Sequence, residues 1–122
     1  MKIVVSVNNN TGLDAELDPR FGRADYFAIF ETGTEEVDFI NNAAKNAASG
    51  AGIQAVQTVA DQGVNAVISG NIGPKAYDAL QAADIKVYVS ASGTLKDVIK
   101  TYEAGELDEV SGPTNAGHAG LR

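Results

Sequence analysis

Residues 66–77, Ala66-Val67-Ile68-Ser69-Gly70-Asn71-Ile72-Gly73-Pro74-Lys75-Ala76-Tyr77, change period midway. Ala66-Val67-Ile68 is a short apolar run without helical spacing and reads as a buried strand. The Gly70-Asn71-Ile72-Gly73 turn interrupts it. Pro74 then suits a first helical turn, where no amide hydrogen is needed. Ala76, Tyr77, Leu80 and Ala83 recur at helical spacing and predict one buried stripe. Ile85-Lys86-Val87-Tyr88-Val89 returns to strand character. A strand, helix and strand in this order form a crossover between parallel strands, so the chain is read as α/β.

The same logic extends outward. Before residue 66, Ile53, Val56, Val59 and Ala60 mark a helix that opens after Ser49-Gly50-Ala51-Gly52 and is capped by Gly63. After residue 89, Leu95, Val98, Ile99 and Tyr102 mark another, with Thr94 as N-cap, Asp97 at the capping-box position and Gly105 at its end. Ile3-Val4-Val5-Ser6-Val7 predicts a strand buried on both faces. Tyr26-Phe27-Ala28-Ile29-Phe30 and Val37-Asp38-Phe39-Ile40, joined through Thr32-Gly33-Thr34, predict an antiparallel hairpin. Residues 8–22 read as a long ordered loop and 41–49 as a polar connection. The expected architecture is a three-layer α/β/α domain with a mixed five-stranded sheet of order 3-2-1-4-5, strand 2 antiparallel. A single domain is expected over residues 1–105, followed by a Gly-rich polar tail over 106–122.

Composition narrows the chemistry. The 122 residues carry 16 acidic and 9 basic side chains, a formal charge of −7, which disfavours a broad nucleic-acid surface. No apolar run approaches the roughly 20 residues that a bilayer-spanning helix needs. Met1-Lys2-Ile3-Val4-Val5 reads as the start of a strand rather than a secretory signal, so the cytoplasm is the expected location. Without cysteine, neither a disulfide nor thiolate ligation is available.

The predicted topology gathers several loops on one rim of the sheet, where the chain leaves strand 1 in two directions. That switch point is the usual ligand crevice of an open α/β sheet. Candidate contacts are Asn8 and Asn10; Arg20, Phe21, Gly22 and Arg23; Ser49, Gly50 and Gly52; and Gly70, Asn71, Ile72 and Gly73. Helix starts rich in glycine present unpaired amides at the positive end of the helix dipole, and two guanidinium groups add charge, so a multiply charged anion is the expected guest. Each feature has a plainer alternative. The glycines also suit simple turns, Phe21 suits a core, and Asn8 to Asn10 suit turn formation. Arg20 and Arg23 could instead pair with Asp14, Glu16, Asp18 or Asp25. His118, the one histidine, is either a metal ligand supplied by the tail or a solvated side chain. Lys75 could reach an anion above the Gly70 turn or extend into water.

Familiar catalytic patterns are missing. There is no Gly-x4-Gly-Lys-Ser/Thr loop, and three asparagines follow strand 1 where a dinucleotide fingerprint needs glycines. Ser6, Asn8 and Ser69 stand where a two-metal nuclease needs carboxylates, and Asn41 and Asn42 where a phospho-acceptor receiver needs aspartate. No nucleophile has an evident base, so a non-enzymatic binding role is expected.

Taken together, Asp18-Pro19-Arg20-Phe21-Gly22-Arg23-Ala24-Asp25-Tyr26-Phe27, Gly50-Ala51-Gly52-Ile53-Gln54-Ala55, Gly70-Asn71-Ile72-Gly73-Pro74-Lys75-Ala76 and Gly117-His118-Ala119-Gly120 resemble the dinitrogenase iron–molybdenum cofactor biosynthesis family nearly end to end. That family includes nitrogenase accessory proteins and the orange proteins. The resemblance implies a ribonuclease-H-like domain without nuclease activity that binds or carries a metal–sulfur cluster. Arg20 stands where the nitrogenase branch often has histidine, which favours the orange-protein-like branch and a molybdenum–copper sulfide cluster with its own sulfur ligands. The alternatives are a carrier of iron–molybdenum cofactor precursor, and a regulatory domain that binds a nucleotide or a partner ATPase without metal. Cofactor-assembly proteins are further expected partners, and a monomer is the expected state.

Overall fold

The structure is a computed structural model that describes residues 1–90, 93–110 and 112. Five strands, β1 (Lys2–Val7), β2 (Tyr26–Glu31), β3 (Val37–Asn41), β4 (Ala66–Ser69) and β5 (Lys86–Val89), form one sheet of order β3-β2-β1-β4-β5. β2 pairs antiparallel with β1 and β3, whereas β1, β4 and β5 are parallel. Helices α1 (Ala51–Ala60), α2 (Pro74–Ala82) and α3 (Leu95–Glu103) complete the expected α/β/α domain.

Side-chain alternation along each strand builds two cores. Val4, Phe27, Ile29, Val67 and Val87 point to one face and pack with Ala55, Val56, Val59, Ala76, Tyr77 and Leu80 of α1 and α2. Ile3, Val5, Val7, Ala28, Phe30 and Ile68 point to the other and pack with Leu95, Val98 and Ile99 of α3. β1 is buried on both faces apart from Lys2, as its unbroken apolar run predicts.

Two stripe positions depart from expectation. Ala83 is exposed, because α2 stops at Ala82 and Ala83 is the C-cap that starts the turn into β5. Ile53, in the first turn of α1, is only half-buried. The chain also stays on the sheet past residue 105. Glu109 bridges Tyr88, the Val110 amide donates to Val87 O at 2.9 Å, and Leu107 and Val110 pack on the two cores. This strap runs antiparallel to β5, so it leads away from the rim that carries the candidate loops. No helix among the described residues is long and apolar enough to cross a membrane.

Candidate functional site at the start of two helices

The rim is assembled by a chain of short backbone contacts. Asp18 N–H donates to Ser6 O at 2.8 Å, and Ser6 Oγ lies 2.7 Å from both Asp18 O and Ser69 Oγ. Asn71 N–H donates to Pro19 O at 2.7 Å and Phe21 N–H to Asn71 O at 3.4 Å. The 18–21 segment is thus laced to the turn between β4 and α2. Gly70 permits this: a β-carbon there would fall 2.7 Å from Pro19 Cα. Phe21 is buried, its ring 5.4 Å from that of Phe27.

Beyond Phe21, a 3-10 turn (Phe21–Arg23) brings Gly22 against the start of α1, where an added β-carbon would sit 3.0 Å from Gly52 N. Asn42 holds the turn from behind. Its buried amide donates to Gly22 O at 3.1 Å and Ala24 O at 2.9 Å, and its Oδ1 accepts from Ala44 N–H at 3.0 Å. Arg23 Nη1 donates to Lys45 O at 2.8 Å and Ala47 O at 2.7 Å. These carbonyls use Nη1 only, and among the described residues Nε and Nη2 donate to no protein acceptor. Lys45 Nζ pairs with Asp25 at 2.9 Å, and their hydrogen bond lowers the Asp25 pKa and raises that of Lys45.

Both helix starts on this rim lack side-chain caps and acidic first-turn residues. Gly50 enters α1 in the left-handed region at φ 72°, where a larger residue would be strained. The first return bonds are Gln54 N–H to Gly50 O and Tyr77 N–H to Gly73 O. The earlier amides, of Ala51, Gly52 and Ile53 in α1 and of Lys75 and Ala76 in α2, are the orphan donors of these termini. They border a cleft of about 500 Å³ lined by Phe21, Gly22, Arg23, Gly50, Ala51, Gly52, Ile53, Asn71, Gly73, Pro74, Lys75 and Ala76. In a chain of net charge −7, this lining holds two cations and no carboxylate. The local field therefore opposes the global one and favours an anion.

Of the expected contacts, Phe21, Gly22, Arg23, Gly50, Gly52, Asn71 and Gly73 meet at this cleft, although Phe21 also serves the core. Arg20 does not line it. Its Nε and Nη2 grip the two oxygens of Asp18 at 3.0 and 2.9 Å, a partnership that raises its pKa further. Ile72 is buried in the core, Gly70 is spent on the approach to Pro19, and Ser49 is exposed outside the lining. Asn8 and Asn10 stay in the loop after β1, where Asn8 N–H donates to Glu16 O at 3.0 Å. Neither belongs to the lining. His118 lies outside the described residues. Ile53 lines the cleft and Asn42 braces the turn beside it, placements that their sequence context hid, because one fitted a core stripe and the other only a turn.

The Asp18–Arg20 pair makes a stability prediction. Asp18 is 2% exposed, so Arg20→Ala strands a buried carboxylate. The Arg20 side chain is 63% exposed, so water can replace part of what is lost. Urea denaturation is expected to show a loss of about 2 kcal/mol, partly recovered by Asp18→Asn in the Arg20→Ala background. An unchanged midpoint would mean that the pair contributes nothing to the fold.

Comparison with known proteins places this geometry in a family. The profile described as dinitrogenase iron–molybdenum cofactor matches residues 1–105. The chain belongs to this family. An uncharacterized protein of Methanocaldococcus jannaschii is 36% identical over 112 residues, spanning 89% of this chain and 91% of that protein. The apo form of the orange protein from Desulfovibrio gigas superposes with a TM-score of 0.90 at 36% identity, covering 93% of this chain and 96% of its own. The NMR structure of a NifB-like protein from Thermotoga gives 0.82 at 31% identity, covering 95% and 98%. Family membership ties the chain to cofactor assembly and agrees with the orange-protein-like reading of its motifs.

Proposed function

We propose that this protein binds and carries, without turnover, an anionic molybdenum–sulfur cluster, with or without copper, held non-covalently in the cleft between α1 and α2. The observation that carries the reading is the lining itself: two uncapped helix starts, Arg23 and Lys75, and no carboxylate. Each helix terminus contributes about 0.3–1 kcal/mol toward an exposed anion, and more when water is excluded. Among the described residues no group of three histidine, cysteine or acidic side chains is placed to hold a metal ion. A guest that brings its own sulfide ligands needs no such group. It needs hydrogen-bond donors and positive charge, which this cleft supplies. Similarity to the orange protein and membership in a cofactor family add support from outside the geometry.

The test is anaerobic mixing with tetrathiomolybdate, with and without copper(I), followed by desalting, visible spectroscopy and elemental analysis. Molybdenum is expected to co-elute with the protein. Lys75→Ala and Arg23→Gln are each expected to weaken retention about tenfold at low salt, and the gap to wild type should narrow as salt screens the charges. Protein that leaves the column colourless and free of molybdenum would overturn the reading. Iron accompanying molybdenum in protein isolated anaerobically from its host would shift it toward a cofactor precursor. Nucleotide binding without any retained molybdenum would instead favour a regulatory domain that works with a partner ATPase.

A further inference from the structure

Building on the cluster-binding reading, we infer that Ile53 makes the cleft selective for sulfide-coated over oxygen-coated metal anions. Amides, a guanidinium and an ammonium attract any anion, and by charge alone they would hold a compact oxyanion at least as well as a larger thioanion. Discrimination has to come from the uncharged part of the lining. Ile53 is the branched side chain of the first turn of α1, beside the amide donors of that turn, and it is half-buried at the cleft rather than sealed in the core. Its position is well defined. Gly52 next to it lies so close to α2 that an added β-carbon would be 3.2 Å from Ala76 Cβ, and Gly22 closes on Gly52 from the other side. Pro74 adds a second hydrocarbon surface to the same lining.

An anion seated on the amides therefore loses water against hydrocarbon. Oxygen ligands are strong acceptors, and stripping their hydration against an apolar wall is costly. Sulfide ligands are larger, more polarizable and weaker acceptors, so they lose less and gain dispersion contact. Ile53 thus works chiefly by penalising the competitor, as specificity often requires.

The experiment compares tetrathiomolybdate with molybdate, two tetrahedral dianions, by equilibrium dialysis at one ionic strength with molybdenum analysis. Ile53→Val and Ile53→Thr share a shape and differ in polarity, so they isolate the proposed effect from packing. The wild type is expected to prefer tetrathiomolybdate. Ile53→Val should keep the preference, and Ile53→Thr should reduce the thio-to-oxo ratio about tenfold. Lys75→Ala should weaken both anions together and leave the ratio in place. An equal ratio in the Val and Thr variants, or a matching fall in Lys75→Ala, would overturn the inference. Wild-type protein that holds neither anion would instead overturn the cluster-binding reading beneath it.

Discussion

Replacing Gly70 with alanine is expected to lower the unfolding free energy by about 3 kcal/mol, near the upper end of what overpacking usually costs. The new methyl group would sit 2.7 Å from both Cα and Cβ of Pro19 and 3.2 Å from its carbonyl oxygen. Pro19 is part of the backbone lacing of the rim and cannot swing aside like a long side chain. Its carbonyl accepts from Asn71 N–H, so relief of the clash must stretch that bond and lift the 18–21 segment from the β4–α2 turn. Phe21 and Asn71, which line the cleft from those two segments, would separate as well. Gly73→Ala is the matched control. It has nothing within 4 Å of the added carbon and an ordinary extended backbone, so its midpoint should stay within about 0.5 kcal/mol of wild type. Urea denaturation of both variants decides the matter, and equal midpoints would show that the approach of Pro19 to Gly70 is not a constraint.

Asn42→Ala should cost a similar amount, about 3 kcal/mol. The side chain is 2% exposed and makes three hydrogen bonds, to Gly22 O, Ala24 O and the Ala44 amide. Alanine leaves all three groups without their partner in a buried setting, and each such loss carries a desolvation penalty of about 1 kcal/mol or more. The neighbouring Asn41 is exposed, so Asn41→Ala should be close to neutral. The damage from Asn42→Ala should also reach the cleft, because the same turn carries Arg23. Hydrogen exchange should show faster exchange of the Ala44 amide, which donates to Asn42 Oδ1. A thermal midpoint within a degree or two of wild type would count against the role assigned to Asn42.

Gly70 and Asn42 also mark where sequence reasoning reaches its limit. Gly70 was legible as a turn glycine at a helix start, and its place on the rim followed from the strand order. That a β-carbon is forbidden there by Pro19, fifty-one positions away in the chain, was not legible. Asn42 stood out only as the wrong residue for a phospho-acceptor. Nothing local to it announces that its amide ties a turn twenty residues earlier to the start of its own loop. The arginines divide in the same way. Both suited an anion site, and both had an acidic alternative nearby. Asp18, two residues before Arg20, claims Arg20, whereas Arg23 meets backbone carbonyls at the cleft and has no ion-pair partner among the described residues.

The architecture was contained in the chain itself. Apolar runs of strand length, helical stripes at three- and four-residue spacing and turn residues between them are local patterns, and hydrophobic burial acts on them wherever they occur. Those patterns, with the rules for connecting strands, lead to the sheet order and so to the rim where the loops meet. Which groups on that rim face a guest was decided only by tertiary structure. The choice depends on close backbone approaches such as Gly22 to Gly52 and on which acceptor each guanidinium finds first. Those distances are set by the packing of the whole domain, and no local pattern encodes them.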